Sequence, residues 1–291
     1  MKLAARWNDF WFAPADPADL AGARIAFCLG TLVFCDALVD RAWAFAPSAF
    51  WRPISFFVLL PGPPGPAALA ALGAAWRVAL MCAAVGFGTR LATAAAFALS
   101  AYLFGLRYCY GFLHTGDAIT VVASLILACS DCGVAYSADQ RIFRRRVPRT
   151  VPAWPLKLAW AAWSILFLSA AVAKLRAGGL GWVFSDNLAR NILKNRLWFF
   201  GRSGEGLRAV AGPWLTQFPL LCRAGAGFTV LLELAAPLVL FSRRARATIV
   251  PSLFLFHALA WIFLLVDFRQ AIPVYAFFVP WSRVLRAGGS A

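Results

Sequence analysis

The chain has 291 residues, of which 62% are apolar and 14% charged, with a mean hydropathy of +0.73. Soluble domains carry about 25% charged and 45–50% apolar residues, so this composition excludes an ordinary water-soluble enzyme and a disordered chain alike. The net charge of +16 does not point to nucleic acid. The basic residues fall between apolar stretches, where cytoplasmic loops and anionic headgroups account for them, and no nucleic-acid module signature accompanies them. The expected partner is the lipid bilayer.

A hydrocarbon core of about 30 Å needs about 20 helical residues. Apolar stretches of that order cover residues 21–39, 66–88, 91–108, 114–129, 154–173, 218–241 and 247–266. An eighth, residues 271–281, is shorter and interrupted by Pro273 and Pro280. The sequence therefore predicts an all-α fold, a polytopic transmembrane helical bundle of about eight spans. It is expected to form a single domain over residues 1–291, with no separate soluble domain. Asn8, Asp9 and Asp16 ahead of the first apolar run do not fit a cleaved signal peptide.

Charge sets the expected orientation. Arg141, Arg144, Arg145, Arg146 and Arg149 follow the fourth stretch, and Arg243, Arg244 and Arg246 follow the sixth. If every stretch crosses, both loops lie on one side, which the positive-inside rule makes cytoplasmic. The N-terminus then lies in the cytoplasm too, as expected for a protein of the bacterial inner membrane. One connection runs against the rule: Lys174, Arg176, Arg190, Lys194, Arg196, Arg202 and Arg208 would face outward. Within it, residues 186–200 read as a helix with Leu188, Ile192 and Phe199 on one side. Arg190, Asn191, Lys194 and Asn195 face away, the pattern of an amphipathic helix lying in the membrane interface.

Ionisable side chains within spans are costly and mark pairs or functional sites. Here they are Arg24, Asp36, Arg77, His114, Asp117, Lys174, Glu233 and His257. Asp36 and Arg77 are candidates for a mutual clamp, and Glu233 for an anchor of Arg77 or His257. His257 reads as a hydrogen-bonded core residue or a chemical one, and Asp117 as a residue lining a site. His114 starts the fourth span and Lys174 ends the fifth, both at the outer rim of the bundle. Two readings of Lys174 stand. It is a base whose amine an apolar setting makes available, or a lysine snorkelling to the headgroups.

Seven cysteines, most of them within apolar stretches, give no disulfide framework. Cys129 and Cys132 form a CxxC, but no second cysteine pair or nearby histidine completes a zinc site. The motif reads as a helix end with a turn at Gly133. No Gly-rich phosphate loop, nucleophile elbow or His-Glu-x-x-His motif occurs.

Five segments, taken in order and spacing, resemble one family. They are Asp16-Pro-Ala-Asp-Leu-Ala-Gly-Ala-Arg24-Ile, Cys132-Gly-Val-Ala-Tyr-Ser-Ala-Asp139, Trp154-Pro-Leu-Lys-Leu, Ser169-Ala-Ala-Val-Ala-Lys174-Leu and Phe256-His257. The chain resembles the HTTM family, that of the vitamin K-dependent gamma-glutamyl carboxylase, from Asp16 to about Trp281. The resemblance implies that Lys174 is the base that deprotonates a vitamin K-like hydroquinone and that His114 assists it. Oxygen then adds, giving a base strong enough to remove a glutamate gamma proton before carbon dioxide attacks. The expected cofactor is accordingly a reduced quinone, with no metal. The sequence departs from the carboxylase at Ala173, where that enzyme has a second lysine, and it shows no counterpart of the large lumenal domain. A different substrate, or a separate protein or peptide that supplies recognition, is therefore expected.

Two functions follow. The first is a quinol- and oxygen-dependent membrane enzyme of carboxylase-like, lyase type, with Lys174 as base and His114 as helper. The second is a non-catalytic membrane protein that binds lipid or assists maturation of a partner, the same residues holding the bundle together. The first expects His114 and Lys174 close together in one outward-opening, largely apolar cavity.

Overall fold

The computed structural model describes residues 2–36, 41–112, 114–198 and 207–288. Helices α1 to α7 are Lys2–Trp11, Pro17–Cys35, Pro66–Val85, Thr89–Tyr108, Thr115–Ala128, Ala138–Ile142 and Trp154–Gly178. Helices α8 to α13 are Gly181–Phe184, Asn187–Trp198, Leu207–Thr216, Pro219–Ala235, Arg243–Leu259 and Trp281–Gly288. The only strands among the described residues are Pro14–Ala15 and Val151–Pro152, an antiparallel bridge.

Among the described residues, six helical segments are long and apolar enough to cross a membrane: α2, α3, α4, α7, Pro219–Leu240 and Arg243–Leu264. Helix α5 is apolar but shorter. The expected eighth span is a 3-10 helix, Arg269–Phe278, with Pro273 inside it. At about 2 Å per residue, that segment is only about 20 Å long, short of the hydrocarbon thickness. On the long helices large apolar side chains such as Val33, Val78, Leu91, Ile165 and Phe228 point outward, a surface that suits lipid tails and not water. The chain is an integral membrane protein.

The contacts divide the chain into two compact units, Met1–Ala159 with Arg269–Ala291, and Trp160–Phe268. In the first, α2 packs on α3 and on the 3-10 helix, α3 on α4, α4 on α5, and α5 on the 3-10 helix again, which closes a ring. Close approach sets the glycine positions: a Cβ on Gly22 of α2 would stand 2.2 Å from Trp281 Cγ. Lys157 ties down α1, its ammonium donating to the Phe10 carbonyl and lying 4.3 Å over the Phe10 ring.

The Cys132–Asp139 segment locks the α3–α4 turn. Fully buried Arg24 donates to the carbonyls of Cys132 at 2.8 Å and Tyr136 at 2.6 Å. Asp139 accepts from the Gly88 and Thr89 N–H groups at 2.8 and 2.7 Å and from the Thr89 hydroxyl at 2.7 Å, capping α4 from outside its own chain segment. Burial pushes its carboxyl up, but these donors outweigh burial and hold it below the usual carboxylate range. Gly86, at φ +77°, lets the turn pass within contact of Ser137. Cys28, Cys82, Cys109, Cys129, Cys132 and Cys222 are free thiols.

In the second unit α11 gives way to a 3-10 helix, Ala236–Leu240, where Pro237 removes a backbone donor. Helix α12 runs into a π turn, Ala260–Leu264, that stops at Leu265 in the left-handed region. Such a terminus leaves carbonyls needing donors. Asn195 donates to the Leu264 carbonyl at 2.8 Å, and Arg208 donates to the Trp261 carbonyl at 3.3 Å with its guanidinium 4.1 Å over the indole. Arg196 in turn donates to the Arg208 carbonyl. Asn195 therefore does not face away as the helical pattern predicts, because the π turn offers it a partner. Ile192 is buried and Arg190 and Lys194 are exposed, as expected; Phe199 and Arg202 lie outside the described residues. Arg223 pairs with Asp186 at 3.1 Å.

Candidate functional site

Helix α11 buries Cys222, Ala226, Val230 and Glu233, a stripe at helical spacing that turns a carboxylate toward the interior of the second unit. Lys174, near the end of α7, meets it there. Its ammonium donates to both carboxylate oxygens of Glu233, to Oε2 at 2.6 Å. The carboxylate is enclosed, with Glu233 2% exposed, while Lys174 is 22% exposed. The indole of Trp182 in α8 lies beside the pair, 5.4 Å from Nζ to the ring centre. Glu233 therefore anchors Lys174, and not Arg77 or His257 as the sequence suggested.

Arg77 pairs instead with Asp36, Nε to Oδ1 at 2.5 Å, forming the clamp expected between them. His257 is buried among aromatic rings, with centroids 5.0 Å from Phe268, 5.7 Å from Phe256 and 5.8 Å from Phe167.

His114 belongs to the first unit, where it is the N-cap of α5. Its Nδ1 accepts from the Gly116 N–H at 3.2 Å, so a neutral ring carries its proton on Nε2. The Tyr108 hydroxyl donates to its carbonyl at 2.5 Å. In the first turn of α5, Asp117 is buried and receives Arg107 Nη1 on both oxygens, at 3.1 and 3.0 Å. The guanidinium also lies 4.7 Å over the Phe112 ring. Arg107 escapes a reading by span ends, where an arginine looks like an interfacial anchor. Its register with buried Ser100, Leu103 and Phe104 was the available signal.

The structure thus brings Lys174 to Glu233 and Trp182, and His114 to Gly116 and Tyr108. Among the described residues no three of His, Cys, Asp and Glu gather as a metal site. The donor set in the second unit fits a hydroquinone: a carboxylate–ammonium pair can take a phenolic proton, and the indole offers a flat wall to a ring.

The HTTM domain model matches residues 12–269, a range that holds His114, Lys174 and Glu233. No curated protein and no solved structure gives a match. On a match that runs through most of its length, the chain belongs to the HTTM family.

Proposed function

We propose that the protein is a membrane enzyme that oxidises a lipid-soluble hydroquinone with dioxygen, and that the Lys174–Glu233 pair is its proton acceptor. One observation carries this reading: an enclosed carboxylate in a membrane-spanning unit, held on both oxygens by a lysine that is itself partly accessible. When bound, the hydroquinone supplies four electrons to dioxygen, two in reaching the quinone level and two in forming the epoxide, and the reaction balances as hydroquinone plus dioxygen giving quinone epoxide plus water.

The chain's own residues do the rest. Within a bilayer neither charge is stable alone, and the pair neutralises both. When Glu233 takes a proton, the Lys174 ammonium loses its counter-charge and stabilises negative charge that develops at its accessible end. Trp182 excludes water from one side of the pair. Glu233 is thus the base, and Lys174 acts with it as the ammonium partner that stabilises the anion. Recognition of any carbon acid carboxylated in the same turnover is assigned to a separate protein or peptide partner.

The orientation that accompanies this reading puts the N-terminus and the 141–149 loop in the cytoplasm, in a bacterial inner membrane. The ties made by Lys174, Arg196 and Arg208 support it, because these outward basic residues are used as partners and caps and are not bare charges.

The bidentate geometry favours a second reading, in which the pair only ties α7 to α11 in a membrane protein that binds lipid or assists maturation of a partner. Incubation of the purified protein with a reduced naphthoquinone and oxygen separates the two. Quinone epoxide is expected from the first reading, and its absence from a folded protein supports the second.

A further inference from the structure

Residues 141–150 of the first unit are all exposed. They hold five arginines and the apolar side chains of Ile142, Phe143 and Val147, which are 60%, 62% and 46% exposed. The segment is nonetheless held in place. The Ser137 hydroxyl caps α6 by accepting from the Gln140 N–H at 3.0 Å, and Asp139 is fastened to the start of α4 through Gly88 and Thr89. After α6 the chain reverses at Arg144, in the left-handed region at φ +49°. The Arg145 N–H then donates to the Gln140 carbonyl at 3.0 Å, and the Gln140 side-chain amide donates back to the Arg145 carbonyl at 3.2 Å. At the far end Val151 pairs with Ala15, just before α7 begins at Trp154.

Both anchors sit at ends of membrane-spanning helices, α4 and α7. An extended chain covers at most about 3.5 Å per residue, so even Arg145, midway between Asp139 and Val151, stays within about 20 Å of a helix end. The strand bridge also seats α1 at this end, where Trp7 and Phe12 are exposed, as suits side chains at headgroup level. None of the five arginines has an ion-pair partner among the described residues. The nearby carboxylates serve backbone donors instead: Asp139 caps α4, and Asp19 accepts from the Ser282 N–H at 2.7 Å. The Arg145 guanidinium lies 5.2 Å over the Phe143 ring, so charge and apolar surface share one face. A nucleic acid or an acidic soluble protein would match the charge and leave Ile142, Phe143 and Val147 in water. A phospholipid surface matches both, since phosphate accepts the guanidinium fork and the acyl boundary takes the apolar side chains.

We propose that the 141–149 loop is a docking site for anionic phospholipid, with its arginines on the headgroup phosphates and Ile142, Phe143 and Val147 in the acyl boundary of the leaflet that this end of the first unit faces. A general bias of charge between spans needs neither a fixed loop nor exposed apolar side chains among the arginines, and this loop has both. The site lies apart from the Lys174–Glu233 pair and stands or falls without the quinol reading.

The test is native mass spectrometry of the full chain in neutral detergent, offered phosphatidylglycerol and phosphatidylcholine in equal amounts. The wild type is expected to retain phosphatidylglycerol over phosphatidylcholine by about fivefold or more, the scale of one basic side chain near an anionic surface. Replacing the five arginines of the loop by glutamine is expected to keep the melting temperature and to abolish the preference. Ile142→Ser/Phe143→Ser, which keeps every charge, is expected to weaken phosphatidylglycerol retention as well. The control Arg243→Gln/Arg244→Gln removes two exposed charges elsewhere and is expected to leave the preference intact. A loop variant that keeps the preference, or a control that loses as much of it, shows diffuse charge and overturns the site. Full retention by Ile142→Ser/Phe143→Ser, or displacement of the lipid by millimolar inorganic phosphate or by an oligonucleotide, means that the arginines serve a soluble anion, and the lipid assignment fails. If the arginine variant does not fold, the arginines are structural and the assignment fails too.

Discussion

The Lys174 ammonium holds both carboxylate oxygens of Glu233, a residue 59 positions away on a different helix. The pair costs desolvation and recovers it through mutual attraction, so its net worth is small while the cost of separating it is large. That asymmetry allows its structural and chemical roles to be taken apart.

Lys174→Met or Glu233→Leu alone is expected to destabilise the protein by about 3 kcal/mol, the low end for a buried pair because Lys174 is partly accessible. The double variant removes both charges and is expected to return to within about 1 kcal/mol of wild type. Reversible unfolding in mild detergent, analysed as a double-mutant cycle, checks this.

Much of the architecture is legible in the sequence because apolar length is a one-dimensional quantity. The stretches at 66–88, 91–108 and 154–173 appear as α3, α4 and α7 with small shifts at their ends. The last stretch is harder: its prolines give a 3-10 helix that closes a ring without the length of a span. The Asp36–Arg77 clamp is readable from charge alone, since two lone ions in a bilayer seek each other. Partner choice for Glu233 is not: charge pattern suggests Arg77 or His257, and nothing one-dimensional points to Lys174 on another helix. Arg107 is illegible for a related reason: it looks like a span-end anchor, and only the packing of α4 against α5 gives it a role.

Asp117→Ala is expected to strand Arg107 as an uncompensated buried charge and to lower stability by about 3–5 kcal/mol. Asp117→Asn, which keeps an acceptor, is expected to cost less. Thermal unfolding of both variants against wild type measures the difference.

The Asp139 cap gives an acid-sensitive lock. Its folded-state carboxyl lies below the ordinary value of about 3.9, so its contribution is full above that pH and is lost as pH falls through the lowered value. Amide exchange at Gly88 and Thr89 is therefore expected to accelerate below about pH 4 relative to the unlocked reference, Asp139→Ala. Equal pH dependence in wild type and Asp139→Ala would show that another group controls the turn.

The orientation is checked by labelling in intact cells. Cys129 is exposed, so the background carries Cys129→Ser. A cysteine placed at Arg145 is expected to resist a membrane-impermeant thiol reagent until the cells are permeabilised. Reaction in intact cells means that the 141–149 loop faces outward.

The most direct measurement compares epoxide formation from a reduced naphthoquinone and oxygen by the wild type and by the charge-free Lys174→Met/Glu233→Leu variant, at matched thermal stability. The account predicts product from the wild type and none above background from the variant. Equal product from both proteins, or none from a folded wild type, contradicts the assignment of the Lys174–Glu233 pair as the proton acceptor of a quinol-oxidising enzyme.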